Sequence, residues 1–385
     1  MEIYFDNSAT TRISERALEK YVEVSRSTYG NPSSLHKMGL DAERLIHSAR
    51  DEVLRSLGAR DSSVIFTASG SEANNLAIIG RARAKSRFAG KKIITTDGEH
   101  ASVSEPLALL EAEGFRVVRI ATVGGKLDTE QLARELTPDV ILITMMMVNN
   151  ETGALYDTAR VATMAKRACP DALIHLDATQ SYMKLPFTKS SVGADMITLS
   201  SHKIEGPKGV GALVVTDAVI KNKGLAAMIL GGGQEGGLRS GTENVPGICA
   251  FGEAVKMASE ALRERYTALC GLREHLIKRL SELEDISVTS PEKFAPHIVN
   301  VTLPSIKSET MLHYLSSLGI FVSSGSACSS NSGHVSSALV AFGRTPEEAD
   351  CSIRISLSYK NTAEEIDMLC EGLRSGICKL ARIRR

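Results

Sequence analysis

The chain has 385 residues, of which 43% are hydrophobic, and its 45 Lys and Arg residues equal its 45 Asp and Glu residues in number. This length exceeds one ordinary domain and predicts about two. A formal net charge of zero argues against a protein that binds nucleic acid through general electrostatics, because neutralising phosphates requires an excess of basic residues. We therefore expect no direct nucleic-acid partner.

The cysteines indicate a reducing compartment. There are seven of them, and no two have the spacing of a C-x-x-C motif, which argues against a disulfide framework and a structural zinc site. We expect no metal. The N-terminus lacks the features of a signal peptide, and the longest apolar stretch, 140–148, is half the length of a membrane span. These features predict a cytoplasmic protein without a membrane partner.

Alternating apolar runs and amphipathic stretches predict an α/β domain over residues 15–250. Runs rich in Ile and Val that are separated by helices are typical of a mostly parallel sheet covered on both faces. The predicted strands are 64–66, 92–95, 140–147, 173–176, 196–199 and 211–215. The predicted helices between them are 72–85, 103–113 and 157–168.

The pattern changes near residue 251. A long charged helix over 252–284 is followed by further strands and helices at 298–302, 309–318, 353–356 and 363–379. This mixture predicts a smaller α+β domain. We assign residues 15–250 to the large domain, and residues 1–14 with 251–385 to the small one.

Three polar segments follow predicted strands, where open α/β sheets bind their ligands. The turn 68–72 leads into a helix N-terminus and suits a phosphate, although a simple helix cap by Ser71 is the commoner explanation. Asp177 either caps the next helix or pairs with a cationic ring nitrogen of a cofactor. Lys203 is a candidate for a Schiff base; a surface lysine is the alternative, and Lys208 competes on position alone.

Two further features are ambiguous. Residues 231–236 match G-x-G-x-x-G, but no βαβ pattern surrounds them, which favours a flexible loop for another ligand over a dinucleotide site. Cys328 lies among small polar residues, which predict an exposed and mobile segment. An accessible thiol of this kind is either a nucleophile or a spare surface cysteine.

Together these segments resemble the cysteine desulfurases of the NifS/IscS type (group I), which are fold-type I pyridoxal-phosphate (PLP) enzymes of the class V aminotransferase family. The resemblance covers nearly the whole chain in order. Its motifs are 4–11 (YFDNSATT), 30–36 (GNPSSLH), 67–75 (TASGSEANN), 99–100 (EH), 148–153 (VNNETG), 175–180 (HLDATQ), 201–204 (SHKI), 231–245, 323–328 (SSGSAC) and 352–356 (SIRIS).

The resemblance implies a PLP site. Lys203 matches the lysine that holds PLP covalently, Asp177 the acid that pairs with the pyridine nitrogen, and Gln180 the donor to the ring phenolate. His100 matches the histidine that stacks on the ring and moves protons. The residues that match phosphate ligands are Gly70, Ser71, Ser200, His202 and Thr242, the last supplied by the neighbouring subunit.

The resemblance also implies a substrate and a reaction. Asn31, Asn150 and Arg354 match residues that hold the substrate carboxylate, and Asn150 also lies at the cofactor. Cys328 matches the nucleophile that takes sulfur from L-cysteine as a persulfide and leaves L-alanine. A homodimer and a sulfur-acceptor protein, serving iron–sulfur assembly or the thiolation of tRNA or cofactors, are the implied partners.

Alternatives remain at this point. A selenocysteine lyase, or another class V aminotransferase-like enzyme, shares the fold. A nicotinamide oxidoreductase would use the glycines of 231–236, and a non-enzymatic sulfur carrier would keep the fold without activity. The chain departs from the family pattern at Ser71, where threonine is commoner, and at Ser358, where glycine is usual.

Overall fold

The computed structural model describes residues 2–84, 90–284, 286–303, 306–324 and 335–381. In chain order, its strands are β1 (Ile3–Tyr4), β2 (Ser62–Thr67), β3 (Lys92–Thr96), β4 (Arg116–Ile120), β5 (Val140–Met146), β6 (Leu173–Asp177), β7 (Met196–Ser200), β8 (Gly211–Thr216), β9 (Ser287–Thr289), β10 (Ile298–Thr302), β11 (Ile320–Phe321), β12 (Ser323–Ser324) and β13 (Ser352–Ser356).

The helices of the same residues are α1 (Glu15–Ser27), α2 (Lys37–Ser56), α3 (Gly70–Ala82), α4 (Ala101–Ala112), α5 (Thr129–Glu135), α6 (Thr158–Ala168), α7 (Lys189–Val192), α8 (Asp217–Lys221), α9 (Val245–Glu260), α10 (Leu262–Leu280), α11 (Ser308–Ser317), α12 (Ser337–Phe342), α13 (Pro346–Asp350) and α14 (Ala363–Ala381). Short 3-10 turns cover Val123–Gly125, Ser201–Lys203 and Glu235–Gly237.

A seven-stranded mixed sheet forms the centre of the larger part of the molecule. Its strand order is β2-β8-β7-β6-β5-β3-β4, and β8 is antiparallel to both of its neighbours while the other pairs are parallel. Every residue of β5 is buried, as expected for a strand covered by helices on both faces. The predicted α/β architecture, a mostly parallel sheet flanked by helices, is confirmed.

The turn after β2 differs from the simple expectation of a cap by Ser71. Helix α3 begins at Gly70, and the side chain of Ser69 accepts a hydrogen bond from the backbone N–H of Glu72 at 3.1 Å. Ser69 is therefore the N-cap. Ser71 lies one residue inside the helix, and its hydroxyl is left for another contact.

The single helix predicted over 252–284 is wrong. The chain forms α9 and α10 instead, with a break at Ala261, whose backbone leaves helical geometry at φ −108° and ψ 9°. The two helices pack against different neighbours: Phe251 and Val255 of α9 lie in the core around the central sheet, whereas Leu276 and Leu280 of α10 lie in a second core. Neither glycine nor proline marks the break in the sequence.

The second core surrounds a four-stranded antiparallel sheet of order β12-β13-β10-β9. Helices α10, α11 and α14 contribute apolar residues to it, and so do Ile3 and Phe5 from the N-terminus. This clustering favours grouping the N-terminal strand with the C-terminal part of the chain. The domain limits of 15–250 and 251–385 stay a prediction.

Among the described residues, no helix is both long enough and apolar enough to cross a bilayer.

Two leucines of α4 provide a matched test of the core. Leu107 is fully buried, whereas Leu109 is 46% exposed on the same helix. We expect Leu107→Ala to lower the free energy of unfolding by about 2–5 kcal/mol, because it removes buried methyl groups and leaves a cavity. Leu109→Ala should change it by no more than about 0.5 kcal/mol. Urea unfolding followed by circular dichroism measures both, and equal losses would contradict the assigned packing of α4.

Candidate active site

A cavity of about 660 Å³ lies at the carboxyl ends of the parallel strands. Its lining brings together residues that are up to 346 positions apart in the chain, from Ser8 to Arg354. The predicted site residues that line it are Gly70, Ser71, His100, Asn150, Asp177, Gln180, Ser200, His202, Lys203 and Arg354.

Three predicted site residues are not among those lining the cavity. Asn31 is exposed in the loop before α2, and its Oδ1 accepts a hydrogen bond from the Ser33 N–H at 2.9 Å. Thr242 is exposed before α9, and its role toward another subunit stays a prediction. Cys328 lies outside the described residues.

The glycine segment 231–236 does not sit in a dinucleotide-binding unit. It follows an extended loop after α8, and the next α-helix of the described chain begins at Val245, well beyond the last glycine. A dinucleotide fingerprint requires a strand directly before the glycines and a helix directly after them. This placement argues against the nicotinamide alternative.

Lys203 stands in the 3-10 turn after β7 and points toward the N-terminal segment. Its Nζ donates hydrogen bonds to the backbone carbonyls of Ser8 and Ala9, the latter at 2.8 Å. The Gln180 side chain donates to the same Ser8 carbonyl at 2.9 Å. The N-terminal segment therefore holds both the amine and the amide at the cavity.

Asp177 ends β6 as a nearly buried carboxylate. Its Oδ2 accepts from the Asn74 amide and its Oδ1 from the Thr179 N–H, both at 2.9 Å. The residues after Asp177 form turns rather than a helix, so the helix-cap explanation is wrong. Both donors are neutral, and a buried carboxylate with neutral donors favours a cationic partner.

His100 is the N-cap of α4 and lines the cavity. Its Nδ1 accepts from the Ser102 N–H at 3.1 Å and lies 2.8 Å from the Ser102 hydroxyl. Burial lowers the pKa of His100 below its ordinary value, with Asp177 opposing this shift and Lys203 adding to it. Burial therefore favours the neutral ring.

His202 lies beside Lys203 in the same turn. Its Nδ1 is 3.1 Å from the Thr10 hydroxyl. Burial, and then the nearby Lys203 ammonium, lower the pKa of His202 to about 4. A neutral histidine is a hydrogen-bonding group here rather than a cation.

Arg354 brings a guanidinium from β13 into the cavity. Its Nη1 donates to the Asn150 carbonyl at 3.0 Å and its Nη2 to the Asp6 carboxylate at 2.9 Å. Arg354 is 4% exposed, and its Nε is buried without a hydrogen-bond partner in the described part of the chain. An unsatisfied donor of this kind suits a carboxylate ligand.

Two carboxyl groups that sequence reasoning missed also line the cavity. Burial raises the pKa of Glu99 to about 8 and that of Glu151 to about 7. Glu99 accepts from the Thr96 hydroxyl at 2.6 Å and from the Met146 N–H, and Glu151 accepts from the Ser336 hydroxyl at 2.5 Å. Both lie within motifs quoted above, so motif membership was the available signal.

The donor set fits a phosphorylated cofactor with a cationic ring. Lys203 offers an amine and Asp177 a buried negative charge, while α3 directs its N-terminal N–H groups toward the cavity. A Cβ at Gly70 would lie 3.2 Å from the Thr179 hydroxyl and 3.3 Å from the Ser200 Cβ. The backbone therefore approaches closely at the point where a phosphate would sit.

Comparison with known proteins agrees with this geometry. The aminotransferase class-V family model matches residues 3–369. A cysteine desulfurase IscS of Klebsiella pneumoniae is 38% identical over 385 residues, which cover 99% of this chain and 94% of that protein. Two solved structures are also similar: a NifS-like protein (TM-score 0.90, 34% identity, 97% of this chain and 99% of that one) and SspA in complex with cysteine (TM-score 0.81, 33% identity, 94% and 100%).

The fold and the site thus define a class V aminotransferase, and the chain belongs to that family. Within it, the chain belongs to the cysteine desulfurases of the NifS/IscS type.

Glu99 gives the site a testable pH dependence. A carboxyl group whose pKa is raised in the folded state holds its proton where the unfolded chain has lost it, so its contribution to stability falls as pH rises from about 5 to 8. We expect the free energy of unfolding of wild type to fall, relative to that of Glu99→Gln, as the pH rises through this range. Urea midpoints at several pH values measure it, with the exposed Glu274→Gln as control. A pH-independent difference would contradict the raised pKa.

Proposed function

We propose that this chain is a PLP-dependent cysteine desulfurase that converts L-cysteine to L-alanine and carries the sulfur as a persulfide on Cys328. The observation that carries the proposal is the convergence of Lys203, Asp177 and Arg354 on one cavity. These residues offer an amine for a carbonyl cofactor, an acid for a ring nitrogen and a cation for a substrate carboxylate.

Different cavity residues would bind different parts of the cofactor. The Lys203 amine would hold it covalently, the Asp177 carboxylate would pair with its ring nitrogen, and the Gln180 amide would donate to its phenolate oxygen. Bound PLP supplies an electron sink for the substrate α-carbon. The proposed phosphate ligands are Gly70, Ser71, Ser200 and His202, together with Thr242 of a second subunit.

The substrate carboxylate would bind Arg354. Its two Nη groups are already anchored to the Asn150 carbonyl and to Asp6, which holds the guanidinium plane in place, while Nε remains unsatisfied. Preorganisation of this kind lowers the entropic cost of binding. Asn150 would contribute from the cavity wall, and Asn31 would need to approach from its exposed loop.

Two residues would move protons. The Lys203 amine would act as the base for the substrate α-proton. Burial favours the neutral form of His100, and because its Nδ1 accepts a hydrogen bond from the Ser102 N–H, the proton of that form lies on Nε2. His100 can therefore donate from Nε2 and be reprotonated from solvent.

Cys328 would carry out the transfer of sulfur. Its thiolate sulfur attacks the substrate sulfur and forms an S–S bond, while the substrate C–S bond breaks and its electron pair stays on the carbon. That carbon takes up one proton, the α-carbon regains the proton that it lost, and L-alanine leaves. The persulfide then passes to an acceptor protein, and we place the reaction in the cytoplasm, as the cysteine pattern predicts.

Activity measurements test the proposal directly. Purified wild type should release alanine and sulfide from L-cysteine with a thiol reductant. Lys203→Ala should lose more than about 10²-fold in alanine formation because it removes a proton-transfer group. Cys328→Ala should abolish sulfide release. Selenocysteine, supplied in parallel, distinguishes a lyase that prefers selenium.

Matched variants are available for both residues. Lys208 and Cys378 are exposed, and Lys208→Ala and Cys378→Ala should retain wild-type rates. If Cys328→Ala released sulfide as fast as wild type, the persulfide mechanism would be wrong.

A homodimer is part of this proposal. Large apolar side chains are exposed near the loops that carry Asn31 and Thr242, the two described site residues that do not line the cavity. Leu35 is 93% exposed, Leu230 82% and Tyr29 73%. Exposed apolar patches of this kind mark protein interfaces. A second copy of the chain would cover them and bring its Thr242 to this cavity.

Sedimentation velocity tests the dimer. We expect Leu35→Asp and Leu230→Asp to shift wild-type dimer toward monomer, because a charge buried at the interface is costly. Cofactor occupancy should fall in parallel if Thr242 acts across subunits. Leu109→Asp, on the exposed side of α4, is the control. A monomeric wild type with full activity would exclude the shared site.

A further inference from the structure

A series of hydrogen bonds that no predicted role uses connects Asp177 to His100. Asn74 lies on α3 and is 1% exposed. Its Nδ2 donates to the Asp177 carboxylate at 2.9 Å and to the Ser102 hydroxyl at 2.8 Å. The Ser102 hydroxyl in turn lies 2.8 Å from His100 Nδ1.

One arrangement of protons satisfies all of these hydrogen bonds. The Ser102 N–H donates to His100 Nδ1 at 3.1 Å, so Nδ1 carries no proton. The Ser102 hydroxyl must then donate to Nδ1, which leaves its oxygen to accept from Asn74. Turning the Asn74 amide would place its Oδ1 against the Asp177 carboxylate, which is repulsive.

We propose that Asn74 and Ser102 form a bridge that joins Asp177 to His100 and fixes the proton of the neutral His100 ring on Nε2. Both are positioning residues, because they act through Asp177 and His100. The proposal rests on the proposed function for the roles of those two residues, although the bridge itself depends only on the contacts given above.

The bridge has a clear consequence for His100. Protonation at Nδ1 would oppose two donors, so the bridge favours the neutral ring, as burial also does. The charged groups that act on His100 are the Asp177 carboxylate, which favours the imidazolium, and the Lys203 and Arg354 cations, which oppose it. Losing a donor at Nδ1 should therefore allow the ring to protonate at higher pH.

Ring-¹⁵N NMR of the purified full-length holoenzyme tests the proton position without any measurement of activity. Histidine labelled at both ring nitrogens is incorporated, and His100→Gln identifies the signal of His100. We expect wild type to show a bare Nδ1 and a protonated Nε2, and Ser102→Ala to titrate at higher pH. A protonated Nδ1 in wild type, or an unchanged titration in Ser102→Ala, would overturn the bridge.

Kinetics test the coupling. Asn74→Ala and Ser102→Ala should each lower kcat for alanine formation by about 10-fold or more, with the KM for L-cysteine changed less than about 2-fold. Because the two residues act in one series of hydrogen bonds, the double variant should lose no more kcat than the worse single variant. Losses that multiply, or wild-type kcat in both single variants, would contradict the proposal.

Two further variants separate positioning from folding. Ser102→Thr keeps the hydroxyl and should restore most of kcat. Asn75→Ala removes the neighbouring asparagine, whose amide bonds the Ser71 carbonyl within α3, and should resemble wild type. If the holoenzyme formed no alanine from L-cysteine, the proposed function would fail, while the ¹⁵N spectra would still decide the bridge.

Discussion

A carboxylate that is nearly removed from water constrains the centre of this molecule. Asp177 ends the buried strand β6, where an unsatisfied charge would cost several kcal/mol. The structure meets this requirement with Asn74 from α3 and the Thr179 N–H from the following turn. The sheet edge, the helix N-terminus and the turn are thereby held in one arrangement, and a negative charge is presented to any cationic ring in the cavity.

The strands of the central sheet could be predicted because burial on both faces leaves continuous apolar runs. The direction of each strand could not be predicted, since β8 is as apolar as its neighbours β2 and β7 although it runs antiparallel to both. The break at Ala261 could not be predicted either, because it arises where α9 and α10 pack against two different cores. Helices α1 and α2 escaped prediction entirely, although α1 begins at a regular Ser14 cap.

Residues at strand ends, such as Asp177 and Lys203, could be found in the sequence because their position alone predicts a ligand site. The contacts that orient them could not, because their partners are distant in the chain: Asn74 is 103 residues from Asp177, and Ser8 is 195 residues from Lys203. A pattern read along the chain records periodicity and turns. It carries no information on which amide will meet which carboxylate after folding.

The N-terminal segment has a consequence for how the protein is made. Residues 8 and 9 hold Lys203 through their carbonyls, and the Ser8 N–H in turn donates to the Ser356 hydroxyl, 348 residues further along the chain. These contacts join segments that are far apart in the chain, and such non-local contacts form slowly. A chain interrupted before β13 would lack the Ser356 hydroxyl that anchors the segment holding the Lys203 amine.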